Sequence, residues 1–166
     1  MNKSNIKRFN VRVYGLLINN RSEILVSDEL IKKGTVKVTK FPGGGLHFGE
    51  GLRECLSREF SEETGVSVEV KEHIYTTDFF VPSAFDDDSQ VIAVYYRVQT
   101  DEWEKIPVSD KKFDFNVPPG VEAERFRWVP LSELDKEESI HLPTDKLVVN
   151  LLLRTFSEST KQLYGY

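Results

Sequence analysis

Basic residues are too few in this chain to build a surface for nucleic acid. The 22 Lys and Arg stand against 27 Asp and Glu, a formal net charge of -5, where a nucleic-acid binder shows a basic excess or stripe. Cysteine is nearly missing as well. The one thiol, Cys55, has no second cysteine to pair with in the chain, which rules out an intrachain disulfide and suits a reducing, cytoplasmic setting. Long apolar runs are also wanting: no stretch approaches the ~20 residues of a membrane span. The opening stretch MNKSNIKRFNVRVYG lacks the apolar segment and cleavage site of a secretory signal. No internal repeat or low-complexity segment is visible. What is present is an ordinary globular composition, 39% hydrophobic and 11% aromatic over 166 residues, the length expected of one domain spanning 1–166. The expectation is a soluble cytoplasmic domain with neither a nucleic-acid nor a membrane partner.

Hydrophobic periodicity then divides the chain into elements. VRVYGLL and INNRSEILV read as two strands around an Asn/Arg/Ser turn, a hairpin. TVKVTKF and VSVEV alternate, QVIAVYYRV is a near-continuous apolar run of the kind buried on both faces, and ERFRWVP is a further short strand. TDKLVVNLLLRTF has helical spacing, with Thr144 in place to cap it after Pro143. Strands on either side of one helix, with a second helix at the end, predict an α/β fold. Two stretches lack periodicity, residues 82–89 and 109–120, and such loops on a rigid scaffold often meet substrate.

The first helix, predicted from Gly51 to Thr64 with Gly65 closing it, carries its charge on an unexpected face. Leu52, Cys55, Leu56 and Phe60 form an apolar stripe; Glu59 and Glu63 fall inside that stripe and Glu62 at its edge. Each like-charge pair at i,i+3 or i,i+4 costs roughly 0.2–0.5 kcal/mol. Anions at a helix C-terminus oppose the dipole by about 0.3–1 kcal/mol each, and burial adds desolvation. A divalent cation reverses all three signs. Carboxylates grouped within one turn suit Mg²⁺, which takes a few of them together with water and phosphate oxygens. Arg58, beside them, is placed to orient or partly neutralise the cluster.

The stretch from Gly44 to Val66 also resembles the signature of the Nudix hydrolases, G-x5-E-x7-R-E-U-x-E-E-x-G-U with U apolar. It reads here Gly44, Glu50, Arg58, Glu59, Phe60, Glu62, Glu63, Gly65 and Val66. Every position fits, with Phe60 aromatic where aliphatic residues are common. The resemblance implies an α/β/α sandwich, a mixed β-sheet with helices on both faces. It also implies hydrolysis of diphosphate linkages in nucleoside diphosphate derivatives, assisted by Mg²⁺ or Mn²⁺. Carried across, Glu59, Glu62, Glu63 and the Gly43 carbonyl would be metal ligands, Arg58 would brace the glutamates, and Glu50 would hold the loop. One more acid is expected ahead of the strand that ends in Trp128-Val129. Glu122 is the first choice for that ligand or general base and Glu124 the second, with the Asp86–Asp88 run read as a turn. A homodimer is compatible with the family.

The resemblance leaves the substrate open. Pro82 resembles the proline that accompanies ADP-ribose hydrolysis, so a small-molecule nucleotide is expected, ADP-ribose or a nucleotide sugar first. A nucleoside triphosphate is the alternative. Pro82 and Phe85 in one loop, and Phe113 and Phe115 in the other, are the candidate substrate contacts. A nucleotide sensor that binds without cleaving is disfavoured, because every glutamate of the box is present.

Overall fold

The computed structural model describes residues 5–83 and 87–164, with side chains as far as Phe156. The strands form two sheets. One has four strands in the order β4-β1-β6-β5, built from β1 (Arg8–Leu17), β4 (Gly43–Gly45), β5 (Glu69–Thr76) and β6 (Ser89–Gln99). It is mixed: β1 runs parallel to β6, from Arg8 opposite Ser89 to Leu17 opposite Val98, and antiparallel to β4. The other sheet has three antiparallel strands in the order β3-β2-β7, from β2 (Glu23–Ile31), β3 (Val36–Lys40) and β7 (Ala123–Pro130). Two helices, α1 (Leu52–Thr64) and α2 (Pro143–Tyr164), complete the α/β architecture.

Strand alternation explains why helices cover both faces. Val13 and Leu17 of β1, Leu25 of β2 and Val94, Tyr96 and Val98 of β6 pack with Cys55, Leu56 and Phe60 of α1. The intervening Tyr14, Leu16, Ile24, Val26, Ala93 and Tyr95 pack with Val148, Val149 and Leu152 of α2. A strand buried on both faces needs apolar residues at successive positions, which accounts for the continuous runs in β1 and β6. Phe60 has a specific reason to be aromatic. A Cβ at Gly15 would come within 2.4 Å of the Phe60 ring, so the ring fills the hollow that a glycine leaves in β1.

Two local expectations differ from what is found. β1 and β2 do not pair as a hairpin; they meet at an isolated bridge, Ile18–Ile24, and then enter different sheets. Each strand already has two ladder partners, so no edge is left for the other. Asn19 holds the turn, its side-chain oxygen accepting from the backbone N–H groups of Arg21 at 2.9 Å and Glu23 at 3.1 Å. At the second helix, Pro143 occupies the first helical turn, where its missing N–H costs nothing, and Thr144 is buried within that turn rather than capping it.

Candidate active site

The box loop and α1 are locked together by Arg58. Its Nε and Nη2 grip the two oxygens of Glu50 at 3.0 and 2.7 Å. Its Nη1 donates to Glu59 at 2.8 Å and Glu62 at 3.1 Å, and Nη2 reaches the Gly45 carbonyl at 3.2 Å. A planar guanidinium is suited to this, since its rigid fork meets several carboxylates at once. Glu50 also accepts the His47 backbone N–H at 2.7 Å. The Arg58 hydrogen bonds, and then that N–H, hold its carboxyl down at about 2. Burial, followed by the nearby Glu50 carboxylate, pushes the Cys55 thiol up to about 12, and the side chain is fully buried in the core beneath α1.

Glycine makes room for the acids. Gly43 has φ +132, and a Cβ there would meet the Val13 carbonyl oxygen at 2.1 Å, so only glycine lets β4 pass this close to β1. A Cβ on Gly44 would lie 2.2 Å from the Glu59 carboxyl carbon. The helix ends at Gly65 with φ 72, its N–H donating to the Ser61 carbonyl at 3.1 Å.

The three box acids differ in exposure as the helical wheel predicts. The Glu59 side chain is 13% exposed and the Glu62 side chain 60%. Glu63 is turned inward, and its Oε2 is buried without a hydrogen-bond partner. Burial, then the charge of Glu124, raises Glu63 to about 8. Glu124 lies in β7 opposite Glu29 of β2. It accepts a hydrogen bond from the Ser27 hydroxyl at 2.5 Å, and burial raises it too. Among the described residues no three acid, histidine or cysteine side chains converge tightly enough to hold a metal ion as they stand. The reason is visible: Arg58 draws Glu59 and Glu62 toward itself, and the Lys40 ammonium sits between Glu29, 2.7 Å away, and the Gly43 carbonyl, 3.3 Å away. The donor set nevertheless fits a hard cation. It offers carboxylate oxygens and a backbone carbonyl, one oxygen being a buried acceptor with nothing to accept.

The sequence profile of the NUDIX domain matches residues 8–151. The chain belongs to the Nudix family. It is similar to the RNA pyrophosphohydrolases of Roseobacter denitrificans, at 28% identity over 72% of this chain and 75% of that protein, and Bartonella clarridgeiae, at 30% over 76% and 75%. Two solved structures share the fold. One is a MutT protein from Methanosarcina mazei, with TM-score 0.61 and 21% identity over 93% of this chain and 97% of that one. The other is the E. coli ORF135 protein, with TM-score 0.60 and 15% identity over 93% and 94%. The chain is therefore a Nudix pyrophosphohydrolase.

The remaining expected site residues of this Nudix chain are scattered. Glu122 is exposed and accepts the Lys33 backbone N–H at 3.0 Å, at the tip of the β2–β3 hairpin. The acid whose charge acts on the buried Glu63 is Glu124, the second choice from sequence. The physical reason is strand register: Glu124 is in phase with Phe126 and Trp128, which face α1. Pro82 lines a pocket of about 100 Å³ together with Arg12, Tyr14, Ile31, Lys40 and Leu142. Phe85 and Asp86 lie outside the described residues. Phe113 and Phe115 are not brought to that pocket. Their rings pack against each other, tilted at 41° with centroids 6.1 Å apart, and the Phe113 N–H donates to Asp28, the neighbour of Glu29 on β2 and so on the opposite face. Asp28 is bound there to Arg127 at 2.7 Å. His47 is exposed, its ring 4.0 Å from Glu50. Sequence reasoning missed Arg12, Glu29 and Lys40. The signal was present: Glu29 and Lys40 are charged positions in phase with buried apolar ones, Leu25 and Val38. Among the described residues no helix is long and apolar enough to cross a membrane.

Proposed function

We propose that this enzyme hydrolyses the diphosphate linkage of a nucleoside diphosphate derivative with the help of Mg²⁺ or Mn²⁺. The observation that carries the reading is the buried, unpartnered Glu63 oxygen beside Glu59 and Glu124. A packing helix has no use for this arrangement, and a cation would satisfy it. Glu59, Glu62, Glu63 and the Gly43 carbonyl would hold the metal. Once bound, it would supply charge neutralisation for the phosphates and a more acidic water. Arg58 fixes the angle of Glu59 and Glu62 through the bonds described above. Glu124, kept basic by burial and oriented by Ser27, is the candidate to accept a proton from the attacking water. Arg12 and Lys40 line the Pro82 pocket with positive charge, which suits a phosphate-linked group.

The first substrate class is a nucleoside diphosphate carrying a sugar, ADP-ribose ahead of the nucleotide sugars. It rests on Pro82 lining the pocket next to Lys40. Phe113 and Phe115 have no part in this reading. A second class is favoured by the relatives named RNA pyrophosphohydrolase, a triphosphate at an RNA 5′ end. A side-by-side assay of ADP-ribose, nucleotide sugars, dinucleotides, nucleoside triphosphates and a 5′-triphosphorylated oligoribonucleotide decides between them. The expected result is the highest kcat/KM on ADP-ribose; preference for the oligoribonucleotide or a free triphosphate replaces the first class and keeps the hydrolase.

A further inference from the structure

The same carbonyl that the metal reading assigns to a divalent cation already has a cationic partner. The Lys40 ammonium donates to the Gly43 carbonyl at 3.3 Å and lies 2.7 Å from Glu29 Oε1. The two side chains are only 8% and 16% exposed, a burial that lysine and glutamate rarely reach unless paired. Register puts them together: Lys40 stands opposite Ser27 in the β2–β3 ladder, and Ser27 and Glu29 share a face. Tyr14 presents its ring 5.6 Å from the Lys40 nitrogen. Glu63 and Glu124, the other buried acids here, both feel the Lys40 charge. Glu29 is thus paired directly with the ammonium, whose positive charge also offsets the negative charge of Glu63 and Glu124.

A divalent cation held by the Gly43 carbonyl would compete with this ammonium for the same oxygen. Two like charges at that range in a partly dry site repel strongly. We propose that Lys40 is a positioning residue, the resident counter-ion of the site. It holds the Gly43 carbonyl in the metal-free protein and yields that oxygen to the divalent cation. The ammonium keeps Glu29 as its partner when displaced, at the edge of the pocket shared with Arg12 and Tyr14. Metal binding in this chain is therefore an exchange of cations, and its affinity is set partly by Lys40.

This inference rests on the metal reading above, and the test separates the two. Mn²⁺ binding to the whole chain, without substrate, is measured by calorimetry for the natural protein, Lys40→Met and Lys40→Arg, alongside thermal melts in chelator and in Mn²⁺. Lys40→Met is expected to bind Mn²⁺ ~10-fold or more tightly, to melt lower in chelator, and to gain more from Mn²⁺ than the natural protein does. Lys40→Arg, which keeps the charge, is expected to stay near the natural affinity. If Lys40→Met does not fold, tight binding by Lys40→Arg overturns the proposal. Unchanged or weaker binding by a folded Lys40→Met overturns it while leaving the metal site standing. Failure of the natural protein to bind Mn²⁺ overturns the metal reading, and this inference with it.

Discussion

The carboxyl group of Glu59 occupies the space that a side chain on Gly44 would need, 2.2 Å from where its Cβ would stand. The box glycine and the box glutamate are therefore one steric unit, although fourteen positions of chain separate their ends of the motif only in sequence. Gly44→Ala changes no charge, and the Gly44 backbone is not in the left-handed region, so the fold should tolerate it. The Glu59 carboxylate must move. Misplacement of a catalytic group by about 1 Å can cost ~10²-fold. The expected outcome is that loss in kcat with a far-UV spectrum unchanged, checked by steady-state kinetics and circular dichroism.

Arg58 should be irreplaceable even by lysine. A lysine carries one nitrogen where Glu50, Glu59, Glu62 and Gly45 together use three. Arg58→Lys is expected to lower kcat by at least ~10-fold and to reduce the melting temperature. Acid should expose the same pair. Glu50 is held at about 2 in the folded protein. Its stabilising contribution is present above its ordinary carboxylate range and is lost as pH falls toward 2. Melts between pH 5 and pH 2 should fall more steeply for the natural protein than for Glu50→Gln.

For the extra acid, Glu124→Gln is expected to reduce kcat by ~10²-fold, the scale of a general-base or key electrostatic group. Glu122→Gln, which touches only the hairpin tip, should stay within ~3-fold of the natural enzyme. Equal losses in the two variants, measured at saturating substrate, would remove Glu124 from its role.

Neutral pH should strain the metal-free protein. Asp145, in the first turn of α2, accepts the Tyr95 hydroxyl at 2.5 Å, while its other oxygen is buried without a partner. Burial raises it to about 7, and Glu63 is raised to about 8. A folded-state value above the unfolded one means that the folded protein holds protons the unfolded chain has released. The associated stability is full below the ordinary carboxylate range and is lost as pH rises through 7 to 8. Melting temperatures in chelator should therefore decline from pH 5 to pH 8.5. Asp145→Asn should flatten that decline, and Mg²⁺ should raise the melting temperature most at the alkaline end, where Glu63 is ionised.

Much of this was legible before the structure. The box helix was readable because Glu59 and Glu63 interrupt an apolar stripe and Gly65 marks its end, both consequences of local spacing. The two-faced strand β6 was readable from its near-continuous apolar run. The hairpin of β1 and β2 was misread because adjacency in sequence says nothing about which ladder edges are already taken. What separates Glu124 from Glu122 is phase: a carboxylate in step with Phe126 faces α1, whereas Glu122 meets the hairpin tip at Lys33. Lys40 and Glu29 stayed hidden because their pairing is set by the register between β2 and β3, which no single strand reveals. Phe113 and Phe115 had the right chemistry for stacking a base, but the strand that carries Asp28 turns them to the other face of the sheet.

The box acids work through a divalent cation in this mechanism, and the most direct measurement of that is turnover of the preferred substrate by the natural enzyme and Glu59→Gln, each with millimolar Mg²⁺ and with chelator. Turnover by the natural enzyme is expected to need the metal, Glu59→Gln to lose ~10²-fold or more in kcat, and both proteins to remain folded. Turnover that persists in chelator, or a folded Glu59→Gln as fast as the natural enzyme, would contradict this mechanism.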